Sequence, residues 1–203
     1  MNINFLHVGQ DVTLPTRMVE SVLATHKGAN IIQLTDEFTP IVKGVSSVVR
    51  KPYNGQIMLF RMQHLADLRG EWITIDTDMI VKKDLSHVFD KDFDVALTRR
   101  YGVILDANGT DIVKEMPYNC GLMFSRNHEF WKDCLKLMNV MTDDLKQWWG
   151  DQVAVKAMAD SYDVLELDCA EYNYTPKNAD ERKDVYVYHF KGQRKAWMMN
   201  GIY

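Results

Sequence analysis

The chain has 203 residues and a formal net charge of -4 at neutral pH, which fits a single domain and excludes the net basic charge that draws proteins to nucleic acid or anionic membranes. Apolar residues make up 46% of the sequence, enough for one sizeable core, so a largely disordered chain is excluded as well. The cysteines form no CxxC pair, and the N-terminal residues lack the features of a signal peptide, so we expect a cytoplasmic protein with reduced thiols. No apolar run approaches the roughly 18 residues of a membrane span, so we expect no membrane partner.

The N-terminal segment predicts a parallel strand–helix–strand unit. Residues 2–8 and 31–34 are apolar runs typical of buried strands. Between them, Thr13 is predicted to cap a helix that carries Pro15 in its first turn, and Gly28 is predicted to end it. Two strands joined by one helix are typical of parallel α/β sheets.

The remainder of the chain continues this alternation. Residues 37–54 have little periodicity and contain two prolines, so we predict an irregular loop there. Helices are predicted over residues 55–68, from an Asn127 N-cap to about Val140, and over residues 150–159. Further strands are predicted over residues 72–75, 92–97, 118–124, 164–167 and 185–189. The pattern, which has no repeat or linker, predicts one α/β domain over residues 1–203.

Several predicted strands end in a turn or in polar side chains. In open α/β sheets, ligands bind in the crevice at the carboxyl ends of the strands. We therefore expect functional residues at these strand ends, namely Val8, Gly9, Asp36, Asp76, Asp78 and His189.

The segment WITIDTDMIV places two carboxylates, Asp76 and Asp78, directly after a buried strand. Close carboxylates repel each other unless one is protonated or a cation lies between them, and the apolar flanks reduce screening by water. Carboxylate oxygens suit hard cations such as Mg²⁺ or Mn²⁺, and two side chains leave coordination positions open for phosphate oxygens. The alternative is that both aspartates only cap turns.

The segment VYVYHFKGQRKAW, near the C-terminus, provides a third candidate metal ligand, His189. Gly192 would let the backbone approach a phosphate closely, and Lys195 would neutralise its charge. The alternatives are a half-buried histidine at a strand end and a solvated basic turn.

Together, the segments DTDMIV and HFKGQRKAW resemble the retaining nucleotide-sugar glycosyltransferases of the glycogenin and lipopolysaccharide-galactosyltransferase family. That family combines an Asp-x-Asp motif with a C-terminal HxxGxxKPW motif, whose register is kept here by His189, Gly192, Lys195 and Trp197. Ala196 stands where the family usually has proline. The resemblance implies a Rossmann-like glycosyltransferase A fold with a mixed, mostly parallel central sheet flanked by helices.

Further segments resemble the same family and extend the match over nearly the whole chain. YNCGLMFSR resembles its asparagine-glycine strand and contains Asn119 and Gly121. WWGDQVAV resembles its aspartate-glutamine helix start and contains Asp151 and Gln152. LFRMQHLADL carries Arg61, which resembles the basic residue of the helix before the aspartate pair, and LHVGQD resembles the strand beside the nucleotide base.

The resemblance implies a role for each of these residues. Asp76, Asp78 and His189 would hold Mn²⁺ or Mg²⁺ against the two phosphates of a nucleoside diphosphate sugar, and Asp76 would also touch the ribose. Lys195 and the Gly192 backbone would assist. The residues implied around the donor sugar are Arg61, Asn119, Asp151 and Gln152, and those implied near the base and ribose are Val8, Gly9 and Asp36.

Three of these residues have alternative interpretations. Asn119 could be a polar strand residue bonded to backbone, Asp151 only a helix N-cap, and Arg61 a surface cation on its helix.

The implied activity is transfer of a sugar from a UDP-sugar to an acceptor hydroxyl, with retention of the anomeric configuration. No carboxylate stands out as a nucleophile, which favours a front-face displacement. The acceptor is open among a saccharide, a protein and a hydroxylated DNA base. The alternative functions are a haloacid dehalogenase-type phosphatase, which also places an Asp-x-Asp motif after a strand, and a non-catalytic nucleotide-sugar-binding protein.

Overall fold

The computed structural model describes residues 1–106, 108–146, 149–201 and 203. In chain order, the strands are β1 (Asn2–Leu6), β2 (Asn30–Thr35), β3 (Ser47–Arg50), β4 (Trp72–Ile75), β5 (Met79–Val81), β6 (Val95–Arg99), β7 (Tyr118–Ser125), β8 (Val164–Asp168) and β9 (Val187–His189). The helices are α1 (Thr13–Thr25), α2 (Ile57–Leu65), α3 (Ile112–Glu115), α4 (His128–Val140), α5 (Gly150–Ala159), α6 (Cys169–Tyr172) and α7 (Lys195–Met199).

Seven strands form the central sheet, in the order β3-β2-β1-β4-β7-β6-β8. The pairs β3–β2, β2–β1, β1–β4 and β6–β8 are parallel, whereas β7 runs antiparallel to both β4 and β6. This mixed, mostly parallel sheet flanked by helices confirms the predicted α/β fold class. The remaining strands, β5 and β9, form a separate antiparallel pair.

Helices cover both faces of the central sheet. On one face, Met18 and Val22 of α1 pack in a cluster with Ile3 of β1. On the other face, α2, α4 and α5 contribute to a second cluster that includes Trp131 and Val155. Because both faces are covered, β4 and β7 are buried along their whole length, as their nearly continuous apolar sequences require.

The predicted helix ends are confirmed in one case and wrong in another. Asn127 caps α4, since its side chain accepts a hydrogen bond from the Glu129 N–H at 3.1 Å. Thr13 is not the cap of α1, because the helix already begins at this residue. Instead, the Asp11 carboxylate accepts the Thr13 N–H at 2.9 Å, and a carboxylate two residues upstream thus replaces the expected hydroxyl.

Two strands lie where the sequence predicted none. β3 falls in the predicted loop over residues 37–54 and is a short edge strand with mostly exposed side chains, so it lacks an apolar pattern. β5 has only three residues and exists because it pairs with β9, where Met79 lies opposite His189. This second pairing brings the C-terminal segment to the aspartate pair.

Cys120 and Cys134 are buried, whereas Cys169 is half-buried, and all three thiols are free. Across the described ranges of the chain, every helix is too short or too polar to cross a bilayer.

Candidate active site

The candidate site lies at the carboxyl end of β4, where the chain passes between β7 and the end of β9. The Asp76 N–H donates to the Gly121 carbonyl at 2.8 Å, which continues the β4–β7 ladder by one residue. The Phe190 N–H donates to the Asp78 carbonyl at 2.8 Å, which ties the other side of the segment to the residue after β9. Both aspartates are therefore held by backbone hydrogen bonds from long-range partners.

The side chains of Asp76, Asp78 and His189 converge, as the sequence predicted. The His189 Nε2 atom lies 3.1 Å from Asp78 Oδ1 and 3.9 Å from Asp76 Oδ2. One potential ligand atom from each residue lies within 4.8 Å of the other two. The two carboxylate oxygens suit hard cations such as Mn²⁺ or Mg²⁺, and the imidazole nitrogen adds a third donor, so the three residues can hold a divalent ion.

The protonation states also suit a divalent cation. Burial acts to raise the pKa of Asp78, but the contacts of its carboxylate with His189 and Lys195 together lower the pKa to about 2. Burial lowers the pKa of His189, against the opposing effect of Asp78. These shifts favour the carboxylate form of Asp78 and the neutral form of His189, which are the forms that ligate metal ions.

Gly121 provides the space in which the His189 ring lies. A Cβ atom added at this position would come within 2.7 Å of His189 Cε1 and 2.6 Å of Met79 Cε. Contacts this short do not occur between real atoms, so any other residue would displace the imidazole. The glycine identified in the YNCGLMFSR segment therefore acts through close packing against the histidine.

Arg61 is a buried cation between two carboxylates, and the surface-cation alternative is wrong. Its guanidinium lies 3.1 Å from Asp76 and 3.2 Å from Asp151, and it also donates to the Cys120 carbonyl. Burial acts to lower the pKa of Arg61, but Asp76 and Asp151 raise it above the ordinary value. The guanidinium thus stays charged and joins the aspartate pair to α5.

Asp151 and Gln152 lie in the first turn of α5, but Asp151 is not its N-cap. The helix begins at Gly150 with Trp149 in the cap position, and the Asp151 carboxylate is buried against Arg61. The Gln152 side chain accepts a hydrogen bond from Arg100 at 2.7 Å. Both side chains are therefore held by arginines.

Asn119 bonds to the backbone, as one of its two interpretations predicted, and it also borders a cavity. Its side-chain oxygen accepts the Gly121 N–H at 3.0 Å, within a bulge where the β6–β7 register shifts between Leu97 and Thr98. The residue also lines the cavity beside the acidic pair. A backbone-supporting role and a ligand contact are thus compatible here.

Two adjoining cavities surround this cluster. The first, which we call the Asp151 cavity, measures about 230 Å³, and the second, the His7 cavity, about 270 Å³. Both are lined by Met58, Arg61, Asp76, Asp78 and Lys195. The Asp151 cavity is also lined by Arg100, Asn119, Cys120, Gly121, Asp151, Gln152, His189, Lys191 and Gly192, and the His7 cavity by Leu6, His7, Val8, Ile57 and Thr77.

Of the remaining predicted residues, three line these cavities and two do not. Lys195 Nζ lies 3.1 Å from Asp78 Oδ2, and Gly192 has a left-handed backbone with a φ of 59°. Val8 lines the His7 cavity, whereas Gly9 and Asp36 line neither cavity. The Asp36 carboxylate instead accepts the Thr39 N–H at 2.8 Å and so closes a turn.

Arg100, His7 and Asn173 were missed as candidates. Arg100 and His7 directly follow β6 and β1, so the strand-end rule could have identified them. Asn173 has no comparable signal, since it follows a short helix and reaches the site by bonding to His189.

The chain was also compared with known proteins. No family model matches it, and no curated protein matches it by sequence. Among solved structures, the galactosyltransferase LgtC, in complex with donor and acceptor sugar analogs, aligns with a TM-score of 0.64 and 12% identity over 100% of this chain and 96% of LgtC.

Two other structures align similarly. A glycosyltransferase involved in glycosylation of the major capsid of PBCV-1 gives a TM-score of 0.66 and 16% identity over 99% of this chain and 97% of that protein. The glycosyltransferase GlyE of Streptococcus pneumoniae TIGR4 gives 0.65 and 12% over 98% of this chain, but only 63% of GlyE is covered. At these identities the similarity establishes the architecture, and the chain has a glycosyltransferase A-type fold.

Proposed function

We propose that this protein is a metal-dependent glycosyltransferase that moves a sugar from a nucleoside diphosphate sugar to an acceptor hydroxyl. The observation that carries the proposal is the convergence of Asp76, Asp78 and His189 at the edge of two adjoining cavities. A structural cap would need neither the imidazole 3.1 Å from the carboxylate nor a cavity beside it. The fold shared with known glycosyltransferases supports the same conclusion.

The acidic pair and the imidazole would hold Mn²⁺ or Mg²⁺. When bound, such an ion supplies positive charge that stabilises the diphosphate leaving group. Lys195 adds a positive charge beside Asp78, and the left-handed Gly192 lines the same cavity, where its backbone can approach a phosphate closely. Together these residues would bind and orient the diphosphate.

The two cavities provide room for the two ends of the donor. We assign the sugar to the Asp151 cavity, where Arg61, Asn119, Asp151 and Gln152 supply charged and amide groups. We assign the base and ribose to the His7 cavity, which Val8 lines. Gly9 and Asp36 would act from its border, since the Thr35 hydroxyl that precedes Asp36 donates to the His7 carbonyl. Uracil is the proposed base, by the family resemblance alone.

We propose a front-face displacement with retention of configuration. The bond between the anomeric carbon and the phosphate oxygen breaks, a bond to the acceptor oxygen forms on the same face, and the acceptor proton passes to the leaving phosphate. Asp151 is unsuited to covalent attack, because it is buried and engaged by Arg61 and by the Gln152 N–H. Its role would be to hold the sugar and Arg61 in place.

A saccharide is the acceptor that we propose. The LgtC structure contains an acceptor sugar analog, which is a property of that protein and a guide for this one. A hydroxylated DNA base is a weaker candidate, because the chain carries a net charge of -4. A protein acceptor is the other outcome that an acceptor screen can distinguish.

The proposal is tested by measuring melting temperatures with a panel of nucleotide sugars, with and without Mn²⁺. A donor at 100 times its Kd stabilises the protein by about 2.7 kcal/mol, which corresponds to about 5–10 °C for a domain of this size. We expect this shift only with metal, and we expect its loss in Asp78→Asn but not in Asp92→Asn, a control at an exposed carboxylate.

Two results would contradict the proposal. If no nucleotide sugar raises the melting temperature with Mn²⁺ present, the assignment of the site is wrong. If a donor binds but is neither hydrolysed slowly nor transferred, the protein is a binding module. An inverted anomeric product, detected by NMR, would exclude the front-face mechanism while leaving the transferase activity in place.

A further inference from the structure

A chain of buried hydrogen bonds extends from His189 away from the acidic pair. The His189 Nδ1 atom lies 2.7 Å from Asn173 Oδ1, on the opposite side of the ring from the nitrogen that faces Asp78. Asn173 Nδ2 lies 2.9 Å from Thr98 Oγ1, and Thr98 Oγ1 lies 2.7 Å from the Asn119 carbonyl oxygen. Asn173 and Thr98 are fully buried, with 1% and 0% of their surface exposed.

The donor and acceptor in each of these hydrogen bonds follow from the last group in the chain, the Asn119 backbone carbonyl. The Asn119 carbonyl can only accept, so the Thr98 hydroxyl donates to it. The Thr98 oxygen then accepts from the Asn173 NH₂ group, and the Asn173 carbonyl oxygen faces His189. A carbonyl oxygen requires a donor, so the proton of the neutral imidazole resides on Nδ1.

This arrangement determines what the other ring nitrogen can do. With the proton on Nδ1, the Nε2 atom presents a lone pair toward Asp78 Oδ1, 3.1 Å away. Two acceptors at this distance repel each other, and a cation between them removes the repulsion. With the proton on Nε2 instead, the ring would donate to Asp78, and its remaining lone pair, on Nδ1, would face Asn173 and not the acidic pair.

We propose that Asn173 and Thr98 are positioning residues that hold His189 in the Nδ1–H tautomer and thereby keep Nε2 available as a metal ligand. The inference deepens the proposed function and rests on it for the identity of the ligand. Metal-bound histidines commonly donate their second ring N–H to a protein acceptor. Here the acceptor is an amide whose own orientation depends on the Thr98 hydroxyl.

Three strands and the segment after α6 hold these residues in place. The Tyr174 N–H donates to the Val187 carbonyl at 3.0 Å, and the His189 N–H donates to the Tyr174 carbonyl at 2.7 Å, so the segment after α6 runs alongside β9. Thr98 lies opposite Asn119 where the β6–β7 register shifts. The chain of hydrogen bonds from His189 through Asn173 and Thr98 to Asn119, which we call the relay, therefore connects the bulge in the central sheet to the β5–β9 pair.

The sharpest test compares two substitutions at one position. Thr98→Val removes the hydroxyl at nearly constant volume, whereas Thr98→Ser keeps it. Nitrogen-15 NMR of the histidine ring in the metal-free protein, at a pH where the ring is neutral, reports which nitrogen carries the proton. Titration with Mn²⁺ followed by electron paramagnetic resonance reports the affinity. Asn173→Ala removes the acceptor itself and serves as the second variant.

We expect the wild type and Thr98→Ser to show the Nδ1–H tautomer of His189, and we expect Thr98→Val and Asn173→Ala to shift the proton toward Nε2. Mn²⁺ affinity should fall about 10- to 100-fold in Asn173→Ala and roughly tenfold in Thr98→Val, while Thr98→Ser stays close to wild type. A lowered melting temperature with unchanged tautomer and affinity would show that these residues only pack, and it would overturn the inference.

The two proposals fail in different ways. The tautomer is read without metal or donor, so an Nε2–H ring in the wild type overturns the relay even if nucleotide sugars bind. A wild type with the Nδ1–H tautomer but no affinity for Mn²⁺ supports the relay and contradicts the proposed function.

Discussion

Met79 and His189 lie opposite each other in the antiparallel pair of β5 and β9. Since Met79 directly follows Asp78, this register delivers the imidazole to the carboxylate at 3.1 Å. The pair has only three residues on each side, and it is closed from behind by Gly121, which both Met79 and His189 contact. The candidate metal site thus depends on packing among three segments that are distant in sequence.

Gly121→Ala should separate metal binding from folding. The added methyl group would come within 2.7 Å of His189 Cε1 and 2.6 Å of Met79 Cε, so the ring must move away from the carboxylates. We expect Mn²⁺ affinity to fall at least about tenfold, measured by electron paramagnetic resonance. Leu122→Ala is the control for loss of stability alone, because it costs about 2–5 kcal/mol of core packing. Its Mn²⁺ affinity should therefore stay close to that of the wild type. Equal Mn²⁺ affinity in Gly121→Ala and wild type would contradict this role of the glycine.

Removing Arg61 should destabilise the fold, because it leaves a buried carboxylate without a counterion. In Arg61→Met, the Asp151 carboxylate is buried without a counterion, at a cost of about 3–5 kcal/mol. Denaturant unfolding measures this loss. The double variant Arg61→Met/Asp151→Leu should recover most of the stability while remaining inactive, because it has no buried charge and no group to hold the sugar. Additive losses in the double variant would show that the two residues are not coupled.

Lys195 should oppose metal binding in the free protein and favour it in the complex with donor. Its Nζ atom lies 3.1 Å from Asp78 Oδ2 and competes with a cation for that carboxylate. We therefore expect Lys195→Gln to bind Mn²⁺ alone more tightly than wild type, but to lose about 10²–10³-fold in kcat because the leaving diphosphate is less stabilised. Lys82→Gln removes the same charge outside the two cavities and should behave like wild type. Unchanged kcat in Lys195→Gln would contradict the phosphate role.

His64 should make stability depend on pH. Burial lowers the pKa of His64 from 6.5 to about 4, and neither ring nitrogen has a hydrogen-bond partner within the described part of the chain. The unfolded chain therefore binds a proton more readily, so stability falls as pH decreases from about 6.5 to about 4, by on the order of 2–3 kcal/mol in total. In His64→Leu this part of the slope should disappear. Denaturant midpoints measured across that range test it, and an unchanged slope would show that the folded state accommodates the proton.

Local patterns in the sequence were sufficient to predict part of the fold and part of the candidate site. The apolar runs of β1, β4 and β7, the Asn127 cap of α4 and the start of α5 were predictable because strand and helix signals act over a few residues. Two carboxylates after a strand also predicted a cation site, since close like charges require a cation or a proton, and the structure groups both with His189.

The other features of the fold and the candidate site depend on contacts between segments that are distant in sequence. β3 and β5 are too short to have a pattern of their own and form only because a neighbouring strand pairs with them. The sequence allowed Arg61 to be a surface cation, and only the packing of α2 shows that it lies between Asp76 and Asp151. Asn173 had no signal at all, because its role depends on where the segment after α6 lies beside β9. The sequence by itself identified the two carboxylates and the imidazole of the candidate site, whereas the distances between them arose from strand pairing and close packing, which local patterns do not encode.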